Sequence, residues 1–211
     1  AVAPGAQVAG EGAQSIDFVD AVYGSFPAML ALIAVVTYLA LVRAFRSLLL
    51  PLKAVLLNLL SVAAAIGTTV LVWQYGHGTE PIFGLAATGA LPEFIPVMVF
   101  AFLYGLSMDY EVFLLARMRE EYDRTGSTTA AITHGLGRTG RLVTSAALIL
   151  FLALVSLAAA PEPEVKIFAT GLGVGILLDA TVVRALLVPA FVSLMGRWNW
   201  WLPGPAGPSA R

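Results

Sequence analysis

The chain has 211 residues, 59% of them hydrophobic and only 12% charged, with a mean hydropathy of +0.86, which excludes an ordinary water-soluble domain and makes lipid the expected solvent. A formal net charge of -1 gives no basic field for holding nucleic acid. The absence of cysteine removes disulfides, thiolate metal sites and thiol catalysis.

In chain order, residues 1–25 lack an initiator Met, a basic n-region and an apolar h-region, so they do not read as a signal peptide. With Glu11, Asp17 and Asp20 and no Lys or Arg, they are expected to form an outward-facing tail, the end of an extracytoplasmic domain lying upstream. A helix needs about 20 apolar residues to cross the hydrocarbon. Five stretches meet that length, at 26–42, 55–75, 94–116, 142–160 and 168–195, and Pro189 supplies the last with a reason to kink. One transmembrane domain over 26–202 and a disordered cytoplasmic tail over 203–211 complete the expected organisation. Trp198, Trp200 and Trp201 suit an interfacial aromatic belt at the end of the last span.

The connection 117–141 is the sizeable polar segment. It reads as an extension of the third helix, a turn at Gly126, and a short amphipathic helix at the cytoplasmic interface that Ser127 can cap. The string GLGRTG (Gly135, Gly137, Gly140) follows that amphipathic segment rather than a strand, so its glycines are expected to shape a turn and not to bind a dinucleotide. The expected fold class is therefore an all-α membrane protein, a bundle of five transmembrane helices plus a short cytoplasmic amphipathic helix.

Lys and Arg alternate between the connections. Arg43, Arg46 and Lys53 follow the first span, Arg117, Arg119, Arg124, Arg138 and Arg141 follow the third, and Arg197 and Arg211 follow the fifth. The loop 76–92 has none, and the turn 161–167 has only Lys166, beside Glu162 and Glu164. Cationic loops stay cytoplasmic, so the N-terminus is expected outside and the C-terminus inside.

Asp109 lies deep in the third span, between VMVFAFLYGLSM and YEVFLLA. A charged group near the centre of a span costs about 2.5–3.5 kcal/mol, so intramembrane acids mark function by default. The structural alternative is a hydrogen-bond anchor between helices. Spacing of four residues puts Gly105, Asp109 and Phe113 on one stripe, where the glycine admits a close neighbour and the ring can gate a path, or where both simply pack. Tyr110 is turned about 100° from Asp109 and should serve a partner on another helix. Glu111 points to a further face and is expected to support the cytoplasmic end. Asp179 and Arg184 are five residues apart, roughly 140° out of phase on an α-helix, so they are expected to have different partners, Arg184 snorkelling to the interface and Asp179 joining helices. Gly171 and Gly175 form a small-xxx-small face that predicts close packing. His77 and His134 are separated by the membrane, and no metal site or cofactor is implied.

The strings FLYGLSMDYEVFLLARMREEYDRTGS, GRTGRLVTSAALIL and LLDATVVRALLVPA make the chain resemble, from about Phe18 to Pro203, the C-terminal membrane half of the MMPL group within the resistance-nodulation-division (RND) superfamily of bacterial transporters, prominent in actinobacteria. The resemblance implies twelve transmembrane helices in two similar halves, of which this chain corresponds to helices eight to twelve, with the porter domains and the other half outside it. It implies that Asp109 and Tyr110 match the tenth-helix half of a proton relay that meets an opposing Asp-Tyr pair, and that Phe113 matches an aromatic beside it. It implies a proton-motive-force-driven exporter of lipids or other hydrophobic compounds in a bacterial cell membrane, with the bilayer, the missing N-terminal half and a hydrophobic substrate as partners. Two rivals remain: an intramembrane aspartyl protease built on Asp109 and Asp179, and a sensor or assembly domain of the same fold that does not transport.

Overall fold

In a computed structural model that describes residues 10–202, every regular element is helical. The expected tail at 203–211 and the first nine residues of the one at 1–25 lie outside the described residues. Helix α1 runs Glu11–Phe45. Helix α2 runs Leu49–Thr69 and ends in a π-helical turn, Val70–Gln74. A short α3, Thr79–Phe83, sits in the following loop. Helices α4, Phe94–Thr125, and α5, Thr128–Leu157, form a hairpin. Helix α6, Pro163–Leu178, continues through a π-helical segment, Asp179–Leu187, into α7, Val188–Met195, and a final 3-10 turn, Gly196–Trp200. Five of these helical runs are long and apolar enough to cross a membrane, as the hydropathy pattern predicts.

The chain divides into two units, residues 1–36 and residues 37–211. The described part of the first is a single helix whose apolar side chains, Ile16, Leu32, Val35 and Val36 among them, are exposed. It starts at Glu11, well before the expected span, so Asp17 and Asp20 stand on the helix itself.

In the second unit α6 packs on α2, α4 and α5. Its glycine face makes that possible: a Cβ at Gly171 would lie 2.7 Å from Thr69 Oγ1, and one at Gly175 would lie 2.6 Å from Leu103 Cδ2 and 3.0 Å from Ala65 Cβ. The small-xxx-small expectation therefore holds. The turn between α4 and α5 also follows the sequence. Gly126 takes a left-handed conformation at φ 66°, and Ser127 caps α5 by accepting from the Ala130 amide at 3.3 Å.

Beyond that cap the reading needs correction. The amphipathic segment is not a separate helix but the first half of α5, and Gly135, Gly137 and Gly140 make no turn. Each glycine costs a helix about 0.8–1 kcal/mol relative to alanine. At Gly135 the missing side chain has a structural reason, because a Cβ there would lie 2.6 Å from Met118 Cγ on α4.

The tryptophan cluster also divides. Trp198 and Trp201 are exposed, as an interfacial belt requires, but Trp200 is buried, stacked on Tyr122 at 4.2 Å with its Nε1 donating to Thr128 Oγ1 at 3.1 Å. Beside it Asn199 is wholly buried. Lys53 Nζ donates to its side-chain oxygen, Ser47 Oγ donates to its carbonyl at 2.5 Å, and its own amide donates to the carbonyls of Val192 and Gly196. The last turn thus ties the α1–α2 corner to the α4–α5 hairpin. Lys53, expected in the loop, stands inside α2.

Candidate functional site

The π-helical segment overturns the expectation for Asp179 and Arg184. Five residues are out of phase in an α-helix, but a π-helix bonds i to i+5 and so brings such a pair onto one face. Arg184 Nε donates to Asp179 Oδ2 at 2.7 Å and Nη2 approaches the same oxygen at 2.6 Å, with the two residues 4% and 6% exposed. Pro189 accounts for the wider turn. It has no amide to donate and its ring crowds the carbonyl four residues back, and just ahead of it the Val188 amide bonds Val183 O in the i-to-i+5 pattern.

Arg184 does not snorkel. Its Nη2 donates to the Ser107 carbonyl at 2.5 Å and to Ser107 Oγ at 3.0 Å, and its guanidinium carbon lies 5.2 Å from the centre of the Tyr110 ring. An arginine over an aromatic face is attracted to the ring's negative quadrupole. A buried ion pair on the last span therefore grips α4 at Ser107 and Tyr110, on either side of Asp109. The Tyr110 ring lies against the π-helical segment of the last span, while Asp109 beside it does not.

The stripe named from the sequence faces the other way. Gly105, Asp109 and Phe113 are all exposed on α4. Apart from its own stretch of helix, nothing lies within 4 Å of where a Cβ of Gly105 would stand. The Arg117 guanidinium lies 5.5 Å from the centre of the Phe113 ring. Asp109 and Asp179 thus occupy unlike settings, one carboxylate on an open helix face and the other buried against a guanidinium. Asp179, already held by the Arg184 guanidinium, is not arranged to share a proton with Asp109 as a paired-carboxylate protease needs.

Glu111 is 4% exposed and lines a narrow interior void with Leu50 and Lys53, at the end of α2 next to the Arg43 and Arg46 connection. Asn58 and Ser61 on α2 are equally buried, and Asn58 Nδ2 donates to the Tyr104 carbonyl at 3.3 Å. Sequence reasoning passed over this interior set, although an Asn inside the run AVLLNLLSVAAA is the kind of intramembrane polar residue that could have signalled it. Ser107 gave no signal, because its contribution is partly a backbone carbonyl.

The MMPL family model matches residues 3–209. The chain is 43% identical over 187 residues to the heme uptake protein MmpL11 of Mycobacterium tuberculosis, covering 89% of this chain and 19% of that protein. It is 41% identical over 187 residues to the mycolic acid-containing lipids exporter MmpL11 of Mycolicibacterium smegmatis, with the same shares of 89% and 19%. Against the trehalose monomycolate exporter MmpL3 of that organism it is 38% identical over 200 residues, covering 93% of this chain and 19% of the relative. The chain therefore spans about a fifth of the length of these curated relatives.

Proposed function

The chain belongs to the MMPL family, and from that premise we propose that it is the C-terminal membrane part of a proton-motive-force-driven exporter of lipids or other hydrophobic compounds, supplying half of a proton relay. The relatives' names support the transport class and a lipid cargo. The observation that carries the relay is the position of Asp109, a carboxylate on the outward face of an apolar helix with open space beside Gly105 and an aromatic ring one turn on.

Facing lipid, that carboxylate would bear the full cost of an intramembrane charge. Covered by an opposing helix carrying its own acid and tyrosine, it gains partners and becomes a group that takes up and releases protons. Gly105 lets the opposing helix come close, and Phe113 closes the path on one side. Tyr110, next to Asp109 in sequence, stands at the edge of that face with its ring held by the Asp179–Arg184 pair. In this arrangement the buried ion pair is a positioning device and Asp109 is the proton carrier. One charge crossing 100 mV releases about 2.3 kcal/mol. That energy shifts a two-state bundle by a factor of about 50. The N-terminal end lies outside and the C-terminal turn in the cytoplasm of a bacterial cell, an orientation the Lys and Arg distribution supports.

The test is Asp109→Asn in the complete transporter, reconstituted with an imposed pH gradient. Gradient-driven export is expected to be lost while the protein stays in the membrane at normal abundance. Export with undiminished proton coupling would overturn the assignment.

A further inference from the structure

At the end of the bundle opposite the α4–α5 turn, a cavity of about 510 Å³ opens between α5, α6 and the short α3. That volume is in the range of small-molecule sites, about 300–1,000 Å³. Its walls include Phe83, Phe151, Leu154 and Val155, and the one charged side chain among them is Lys166. A second cavity of about 180 Å³ shares Phe83 and Thr170 with the first and reaches Trp73. Between them the Trp73 ring stacks on Phe83 at 4.9 Å and its Nε1 donates to Thr170 Oγ1 at 2.8 Å.

The chemistry of this slot selects its occupant. Thr170 Oγ1 already donates to the Lys166 carbonyl at 2.7 Å and accepts from Trp73, so it has little left to offer a sugar or a nucleotide. What remains is two adjoining apolar arms with half-buried Lys166 lining the larger. Lys166 forms no ion pair among the described residues, although Glu162 and Glu164 are its near neighbours in sequence. The lysine stands where the connections are otherwise poor in cations, since the loop 76–92 has none. Ile82, Leu152 and Val155 are exposed around the slot, so an acyl chain can enter sideways from the bilayer. We infer that the slot holds an anionic phospholipid, with its phosphate at Lys166 and its two chains in the two cavities. The site is independent of the Asp109 relay and survives if that reading fails.

Trp73 is the reporter. The chain has four tryptophans, and replacing Trp198, Trp200 and Trp201, with any tryptophan elsewhere in the transporter, by Phe leaves Trp73 as the reporter. The protein is placed in phosphatidylcholine bilayers containing equal fractions of brominated phosphatidylglycerol or brominated phosphatidylcholine, and quenching is read. A single lysine at the headgroup level should favour the anionic lipid about fivefold. Lys166→Gln should abolish the preference and Lys166→Arg should keep it. Gly173→Leu, whose Cβ would meet Phe151 at an ordinary 3.5 Å, should fill the larger arm and reduce quenching by the anionic lipid to the neutral level. Equal quenching by the two lipids, or a preference that survives Lys166→Gln, overturns the inference. If the triple-Phe background loses helix content, native mass spectrometry of the unaltered chain decides instead: a retained phosphatidylglycerol lost on Lys166→Gln supports the site, and none retained overturns it.

Discussion

Arg184 is bound on one side by Asp179 and on the other by Ser107 and the Tyr110 ring, and its Nη1 has no hydrogen-bond partner. Removing one member of such a buried pair leaves the other charge uncompensated, which costs about 3–5 kcal/mol, whereas replacing both by apolar residues of similar size is often neutral. Asp179→Ala is therefore expected to lower stability in detergent unfolding by that amount, and Asp179→Leu with Arg184→Met to recover most of it. If the pair is a positioning device, the recovered double variant stays folded but loses proton coupling; a double variant that transports normally would reduce the pair to packing. Asp109 stood out in the sequence as a candidate because an acid amid FLYGLSM and YEVFLLA has few innocent explanations. The partnership of Asp179 with Arg184 did not, because the phase argument assumed 3.6 residues per turn where the chain departs from it.

At the scale of helices, hydropathy and length located all five spans, and the α4–α5 turn was readable from Gly126 and Ser127. What composition could not reveal was which glycines break a helix and which let two helices meet, since that depends on neighbours distant in sequence. The structure separates them, and stability should follow. Gly175→Ala would push a methyl to 3.0 Å from Ala65 Cβ and 2.6 Å from Leu103 Cδ2, an overpacking expected to cost about 1–3 kcal/mol. Gly137→Ala enters open space inside α5 and should instead add about 0.8–1 kcal/mol through helix propensity. Unfolding midpoints moving in opposite directions confirm the distinction; equal shifts would mean that α6 does not pack by its glycine face.

The arrangement of the whole molecule in the membrane rests on charge. In the connection 117–141, ion pairs with Glu120, Asp123 and Glu121 occupy Arg117, Arg119 and Arg124 at 2.8, 3.0 and 2.5 Å. Arg138 and Arg141, exposed on α5, form no such pair among the described residues. Orientation depends on the Lys and Arg present, largely regardless of nearby carboxylates, so the proposed orientation counts all five named arginines towards a cytoplasmic side. These 211 residues contain no cysteine, so one thiol introduced among them, with any cysteine elsewhere in the transporter replaced, reports its side without background. Ala86→Cys, exposed in the loop after α3, should react with a membrane-impermeant maleimide in intact cells. Thr129→Cys, exposed at the start of α5, should react only after the membrane is opened. The reverse pattern would place the arginine-rich turn outside, against a membrane potential worth about 2.3 kcal/mol per charge per 100 mV. It would also move Lys166 to the inner leaflet, where anionic lipid is still available, so the lipid slot could stand while the direction of proton flow past Asp109 would have to be drawn the other way.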